Sequence, residues 1–391
     1  MAIVPVTALR LAGQRVLVRC DFNVPLADGK ITDPSRIDAS LPTIRYLLDA
    51  GAVAVLCSHL GRPTERSAAL SLRPVAEYLS IALGRKVALA PDCIGDVTGR
   101  MIAALKPGEA IMLENLRFHR EEEANDRDFA HELARGKTVY VNDAFGTAHR
   151  AHASTAGVAK FLPERAAGFL MIRELEALRA VTENPARPMI AILGGAKVSD
   201  KIGLIKNLLP RVDTILIGGA MAYTFLRARG IEVGRSRVEA DKLDLARELM
   251  TEAAKKSVAI ELPTDHIVAS APEAGAIVQT VAEIPAEMMG LDIGPETIER
   301  FKTALAGART VIWNGPLGFF EIPEFAHGTL AVGEALAGQA GTKSILGGGD
   351  TAAAVAGQPW AASFTHISTG GGATLEFLEG RELPGVKALE R

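Results

Sequence analysis

The 391-residue chain has little to offer several large classes of protein. Its three cysteines, Cys20, Cys57 and Cys93, are scattered and form no CxxC pair. They read as buried reduced thiols, which favours a cytoplasmic protein. Neither sign of charge dominates: 43 basic residues meet 46 acidic ones, for a net charge of −3. That balance speaks against a nucleic-acid or membrane-surface partner, because any basic cluster must be local. Residues 1–20 lack an apolar core followed by a small-residue cleavage site, and no run of 18 apolar residues occurs. The reading is therefore no secretory leader and no membrane span. GxxxxGK[ST] is missing, as is any H-R-D…D-F-G set, so neither a P-loop enzyme nor a protein kinase is indicated. No repeat with a 20–50-residue period and no low-complexity tract is present.

What is there is alternation. Short apolar runs occur at 15–20, 52–57, 86–90, 110–113 and 138–141, then at 188–193, 213–217, 257–262, 310–313, 343–346 and 364–368. They are rich in Val and Ile and do not alternate with polar residues, as expected of strands covered on both faces. Helical patterns lie between them. One has Ser40 as its N-cap, an apolar stripe at Ile44, Leu47 and Leu48, and Gly51 as its stop. Such alternation predicts parallel sheets with right-handed crossovers. The length calls for two domains. The expected fold is α/β, with two doubly wound, Rossmann-like domains facing each other across a cleft.

Residues 168–188 read as one helix with an apolar face of Leu170, Leu175 and Leu178, ended by Asn184-Pro185 and Pro188. A helix without a strand at the midpoint is a natural connector. The expected domains are 1–169 and 188–373, with 170–187 as the hinge. Residues 374–391 should form a helix and a polar, Pro/Gly-broken tail that returns toward the first domain and wanders over its surface. No feature indicates oligomerisation, so the chain is taken as a monomer.

The halves differ in the residues that lie just past their strands. Of the 38 glycines, 12 lie in residues 1–190 and 26 in residues 191–391. The second half carries ILGGAKVSDK (192–201), LIGGAMA (216–222), ILGGGDTA (345–352) and ISTGGGA (367–373). Glycine at a strand end lets backbone N–H groups approach a polyphosphate, and a following helix adds its positive end. Past the strands of the first half come Asp21 and Asn23, then His59 and Arg62, then Arg117, then Arg150, with Arg36 in the loop after the first strand. Ligands of open α/β sheets sit at these carboxyl ends. Any one of these arginines alone reads as a solvated surface ion pair. Together they suit a ligand with a phosphate and a carboxylate, each offered a bidentate fork. Asp21 and Asn23 are placed to hold a hydroxyl. His149 and His152 form an HxxH pair, but no Cys or carboxylate completes a metal set at ligand spacing. One chain with both kinds of strand end suggests transfer between two anionic ligands.

In the second half, Lys197 and Lys201 are expected to share a face in the first helical turns after ILGG. Two cations near a positive helix end break a local rule, which a polyphosphate would reverse. The plain alternative is two snorkelling surface lysines. Asp350 reads as an N-cap-like residue and as a ligand for a phosphate-bound Mg²⁺. The run Gly370-Gly371-Gly372 offers a nest of backbone donors for charge on a phosphoryl group in flight. ILGGGDTA also fits GxGxxA, but the second strand with an acidic end that a dinucleotide site requires is missing. An NAD-dependent oxidoreductase and a non-enzymatic two-lobe anion-binding protein remain the alternatives from the residues alone.

The segments VLVRCDFNVP (16–25), SHLGRP (58–63), ENLRFH (114–119), NDAFGTAHRAHAST (142–155), GGAKVSDK (194–201), WNGPLGFFE (313–321), GGGDT (347–351) and STGGGA (368–373), in this order, closely resemble the phosphoglycerate kinase family. The resemblance covers nearly the whole chain. It implies that Asp21, Asn23, Arg36, His59, Arg62, Arg117 and Arg150 bind 3-phosphoglycerate or the glycerate part of 1,3-bisphosphoglycerate. It implies nucleotide contacts, to ADP or ATP, for Lys197, Lys201, Gly219, Gly294, Asn314, Pro316, Glu321, Gly348, Gly349, Asp350 and Thr351, with Mg²⁺ on Asp350. Arg36, Lys197 and Gly371 are the expected catalytic groups. The implied reaction is reversible phosphoryl transfer from 1,3-bisphosphoglycerate to MgADP.

Overall fold

A computed structural model describes residues 3–390. The chain divides into two compact units, Met1–Leu175 with Glu382–Arg391, and Glu176–Arg381. The division falls inside the helix Phe169–Thr182.

The first unit is built on strands β1 Arg15–Arg19, β4 Val53–Cys57, β5 Val87–Leu89, β6 Ala110–Met112, β7 Val139–Asn142 and β8 Glu164–Ala167, while β2 Leu26–Ala27 and β3 Lys30–Ile31 make a small hairpin. The six long-range strands form a parallel sheet in the order β5-β6-β4-β1-β7-β8. All five residues of β4 are buried, as expected for a strand with helices on both faces. β8 escaped the sequence reading because its residues, ERAA, are neither β-branched nor aromatic.

The second unit repeats the plan. Here β9 is Met189–Leu193, β10 Thr214–Ile217, β11 Ala259–Glu261, β15 Thr310–Asn314, β16 Lys343–Gly347 and β17 His366–Ile367. Their order is β11-β10-β9-β15-β16-β17, again parallel. A second sheet, unforeseen from the sequence, consists of β12 His266–Ala269, β13 Gln279–Val281 and β14 Met289–Ile293, antiparallel in the order β13-β12-β14. These strands are short and mixed in polarity, so no continuous apolar run marks them.

Four local expectations are corrected. Ser40 is not an N-cap: the helix runs Ser35–Asp49 through Pro42, and Ser40 Oγ donates to Arg36 O at 3.5 Å. The hydroxyl that suggested a cap bonds back one turn inside the helix instead. The connector helix buries Met171, Leu175, Leu178 and Val181, whereas Leu170 is half-buried. Lys197 lies in the loop before the 3-10 turn Ser199–Lys201, so it shares no helical face with Lys201. The last segment does not wander over a surface. Leu383, Val386 and Leu389 are buried in the first unit, Gly385 N donates to Ala148 O at 2.8 Å, and Arg165 Nη2 donates to Glu390 O at 2.9 Å.

Candidate functional site

The carboxyl ends of the first unit's strands carry the basic cluster. The Asp21 carboxylate accepts from Arg36 Nη1 at 2.8 Å. Asn23 Oδ1 accepts from Gly61 N at 2.8 Å, and Gly61 O accepts from Arg117 Nη1 at 2.7 Å. Three strand-end loops are thereby tied around Gly61. The pKa of Arg117 is pulled below its ordinary value by burial, opposed by Glu123 and reinforced by Arg150, Arg19 and Arg62. Burial and then the charges of Arg19, Arg117, Arg36 and His152 push His59 well below the ordinary imidazole range. All seven residues predicted for this end of the sheet thus fall in one electrostatically or hydrogen-bond-connected set, with Asp21 and Asn23 at its edge.

Beneath them lies a group that the sequence reading passed over. Arg19 is only 1% exposed. Its Nε donates to Ser154 Oγ at 2.8 Å, Nη1 donates to Cys20 O, and Nη2 lies 3.3 Å from His59 Nδ1. An arginine can only donate, so His59 Nδ1 accepts and the ring proton sits on Nε2. Ser154 Oγ in turn donates to Glu122 Oε1 at 2.5 Å, and Ser154 N donates to Glu122 Oε2 at 2.9 Å. Burial raises the pKa of Glu122, against Arg19 and the Ser154 hydrogen bonds. This buried chain, Arg19–Ser154–Glu122, holds His59 from below through Arg19, while burial first and the Arg19 charge second favour the neutral imidazole. Arg19 was hidden in the apolar run RVLVRC, where a single arginine reads as a strand end. His152, pushed down to about 4 by burial and by Arg19, completes the same layer through a capping box with Thr155.

A larger hollow of about 420 Å³ also lies in the first unit, lined by Arg15, Arg100 and Arg135 among others. Its arginines serve the protein itself: Arg15 Nη2 donates to Ala103 O, at the end of a helix, at 3.4 Å, and Arg135 pairs with Asp96 at 3.2 Å. Size alone does not mark the site.

In the second unit a cavity of about 300 Å³ opens between the glycine-bearing strand ends and the antiparallel sheet. Gly219, Pro316, Glu321 and Asp350 line it, as do Gly195, Ala196 and Phe319, which lie within quoted motifs without an assigned role, and Arg237, Met289, Gly290 and Leu291, which lie outside them. Phe319 N donates to Leu291 O at 2.8 Å, which fixes the aromatic wall to β14. Here the glycines divide into two kinds. A Cβ on Gly194 would sit 2.0 Å from Pro316 O, so that glycine is required by the crossing of two loops. A Cβ on Gly349 or Gly371 would meet nothing within 4 Å, so there the bare backbone faces open space.

Beside the cavity, Lys201 Nζ donates to Asn314 Oδ1. Burial lowers its pKa, while Asp200, Asp350 and Glu379 oppose that shift. Gly315 N donates to Thr351 Oγ1 at 2.7 Å, and Gly348 approaches the Asn314 amide so closely that a Cβ would lie 3.2 Å away. Lys201, Asn314, Gly348, Thr351 and Asp350 therefore form one neighbourhood. Asp350 is not an N-cap: Gly348 holds that position, and Asp350 is exposed in the first turn of the helix Gly349–Val355. Lys197 is exposed on the loop before Lys201. Gly371 is the N-cap of the helix Gly372–Leu378 with φ 52°, and Gly370 N donates to Ser368 Oγ at 3.1 Å. Gly294 stands apart from the cavity lining. It begins the helix Pro295–Leu305, where a Cβ would lie 2.3 Å from the Asp265 carboxyl.

Comparison with known proteins agrees in all three directions. The family profile described as Phosphoglycerate kinase matches residues 6–381. A phosphoglycerate kinase of Moorella thermoacetica is 56% identical over 392 residues, covering 100% of this chain and 99% of that one. One of Anaeromyxobacter dehalogenans is 52% identical, with 100% of each chain covered. The solved structure of phosphoglycerate kinase from Coxiella burnetii superposes with a TM-score of 0.92 at 42% identity, covering 99% of each chain. That from Pyrococcus horikoshii gives 0.86 at 36% identity, covering 99% of this chain and 98% of the other. The chain belongs to the phosphoglycerate kinase family.

Proposed function

We propose that this chain catalyses the reversible, Mg²⁺-dependent transfer of a phosphoryl group from 1,3-bisphosphoglycerate to ADP, giving 3-phosphoglycerate and ATP. The observation that carries this is the pairing, in one chain, of a connected Arg/His set with a glycine-walled cavity lined by Asp350, beside which Lys201 lies. The first suits a small, multiply charged acid. The second suits a nucleotide polyphosphate.

In this reading Arg62, Arg117, Arg150 and His59 hold the phosphate and carboxylate, with Asp21 and Asn23 on the hydroxyl. Arg36 orients the acyl-phosphate oxygens. The neutral His59 donates one hydrogen bond from Nε2, its Nδ1 being engaged by Arg19. Lys201, Asn314, Gly348, Gly349 and Thr351 take the nucleotide phosphates, Glu321 the ribose, and Gly219, Pro316 and Gly294 the rest of the nucleotide. Lys197 tracks the moving phosphoryl group, with the backbone of Gly370–Gly372 as fixed donors. Asp350 is the acid for Mg²⁺. It is exposed on the cavity wall, as suits a cation held by one or two carboxylates and by substrate phosphates. That ion would neutralise charge on the transferred group.

The acceptor carboxylate is already ionised in the ATP-consuming direction, so no general base is required. Catalysis reduces to alignment and charge neutralisation. In-line transfer needs reacting atoms about 3–3.5 Å apart. Ligands held by different units must therefore be brought together, and closure about the helix Phe169–Thr182 is the proposed step. We take the enzyme to be a cytoplasmic monomer.

The test is ATP consumption with 3-phosphoglycerate and Mg²⁺, coupled to NADH oxidation through glyceraldehyde-3-phosphate dehydrogenase. A signal that needs all three components is expected. Folded protein that binds both ligands and gives none would overturn the reaction as written.

A further inference from the structure

Two loops at the carboxyl edge of the first sheet bring sulfur, nitrogen and oxygen donors together outside the residues used above. The neighbouring strands β5 and β6 run on into Asp92-Cys93 and, through Glu114, to His119. One ligand atom from each of Asp92, Cys93 and His119 lies within 4.8 Å of the others. Cys93 is fully buried, whereas the side chains of His119 and Asp92 remain 22% and 33% exposed, so the group opens to solvent on one side. Among the described residues, no other group of three such side chains comes this close.

We propose that Asp92, Cys93 and His119 form a site for a thiophilic divalent cation of the Zn²⁺ class, with water in the fourth position. Three mixed S, N and O ligands plus an open position suit such an ion in a tetrahedral site. Mg²⁺ is disfavoured, because it seeks octahedral oxygen and this group offers sulfur and nitrogen.

The present contacts are ones that a cation can replace. The Cys93 thiol donates to Glu114 O at 2.9 Å, and His119 Nε2 lies 2.6 Å from Asp92 Oδ1. On binding, the Cys93 S–H proton leaves to solvent and a sulfur–metal bond forms in its place. The imidazole presents one nitrogen and keeps its proton on the other. Thiolate and carboxylate then balance the divalent charge. Arg66, which pairs with Asp92 at 3.2 Å, is not stranded, because it also donates to Pro91 O and lies over the Phe118 ring, 5.5 Å from its centroid. Because a proton is released, affinity rises with pH.

The experiment is titration of the untagged, nucleotide-free protein with Co²⁺, read by absorbance, then competition with Zn²⁺. A near-ultraviolet thiolate-to-cobalt charge-transfer band is expected, and Zn²⁺ should abolish it. Cys93→Ser should remove the band. His119→Gln should weaken binding by at least the factor of about 10–100 that loss of an outer partner alone costs. Circular dichroism checks that each variant is folded. No band in the wild-type protein would overturn the proposal, and so would a band that survives Cys93→Ser, since it would belong to Cys20 or Cys57. The readout is independent of kinase activity, so the two proposals fail separately.

Discussion

Lys197 and Lys201 show how two like residues in one motif come to differ. Lys201 is part-buried against Asn314, with its charge opposed by Asp200, Asp350 and Glu379, and it stays where the fold puts it. Lys197 is exposed on a loop, and the proposed function has it follow the transferred group. A residue that meets the phosphoryl group only in the transition state lowers the barrier without changing ground-state binding. Lys197→Ala should therefore reduce kcat by about 10²–10³ and leave KM for 3-phosphoglycerate little changed. Steady-state kinetics on the folded variant decide it, and an unchanged kcat removes Lys197 from the reaction. A second residue makes a pH-dependent contribution. Burial pushes the Asp143 carboxyl up to about 7, against hydrogen bonds from Thr43, Met171 N and Leu170 N. An unfolded Asp titrates near about 4. Between those values the unfolded chain has lost a proton that the folded chain keeps, so this group's contribution to stability falls as pH rises. The slope is at most about 1.4 kcal/mol per pH unit. Asp143→Asn keeps an acceptor oxygen without the titration. Its stability relative to wild type should climb between about pH 4 and 7. A flat difference in urea unfolding across that range would return Asp143 to the ordinary carboxylate range.

At the scale of elements, the helix Pro295–Leu305 is anchored by a side chain far from it in sequence. Asp265 accepts from Glu296 N at 2.9 Å, Thr297 N at 2.8 Å and Thr297 Oγ1 at 2.6 Å. This supplies acceptors for first-turn donors that the helix cannot satisfy itself. Asp265→Ala should cost about 1–2 kcal/mol, seen as a lower urea midpoint with an unchanged slope. The same contact requires glycine at position 294, because no side chain fits against that carboxylate. The same physics decides which elements were legible. Runs such as VAVLC and MIAIL announce strands buried on both faces. HIVA, QTV and MGLDI, in an antiparallel sheet beside a cavity, announce nothing by period or length. Because β14 was not foreseen, neither were Met289 and Leu291 in the cavity wall. The basic cluster was legible because polar residues just past an apolar run stand out. Arg19 was not, because its role depends on Ser154 and Glu122 reaching under the sheet from elsewhere. Asp350 was found at the cavity, but the cap assigned to it belongs to Gly348, since ψ and φ rather than residue type fix that position.

For the whole molecule, the proposed function puts one ligand class on each unit, and the closure proposed with it can be tested. Small-angle scattering with 3-phosphoglycerate and a nucleotide both present should show a smaller radius of gyration than with either alone. An unchanged radius would remove closure from the mechanism. The units are also unequal in how the chain makes them. Residues 176–381 form the second unit entirely, whereas the first needs both 1–175 and 382–391. A ribosome delivers these pieces in order, so the unit begun first is finished last. At about 5–20 residues per second, the interval is about 10–40 s. Throughout it the places that Leu383, Val386 and Leu389 will fill stand open, and the second unit has its whole sequence in hand before the first does.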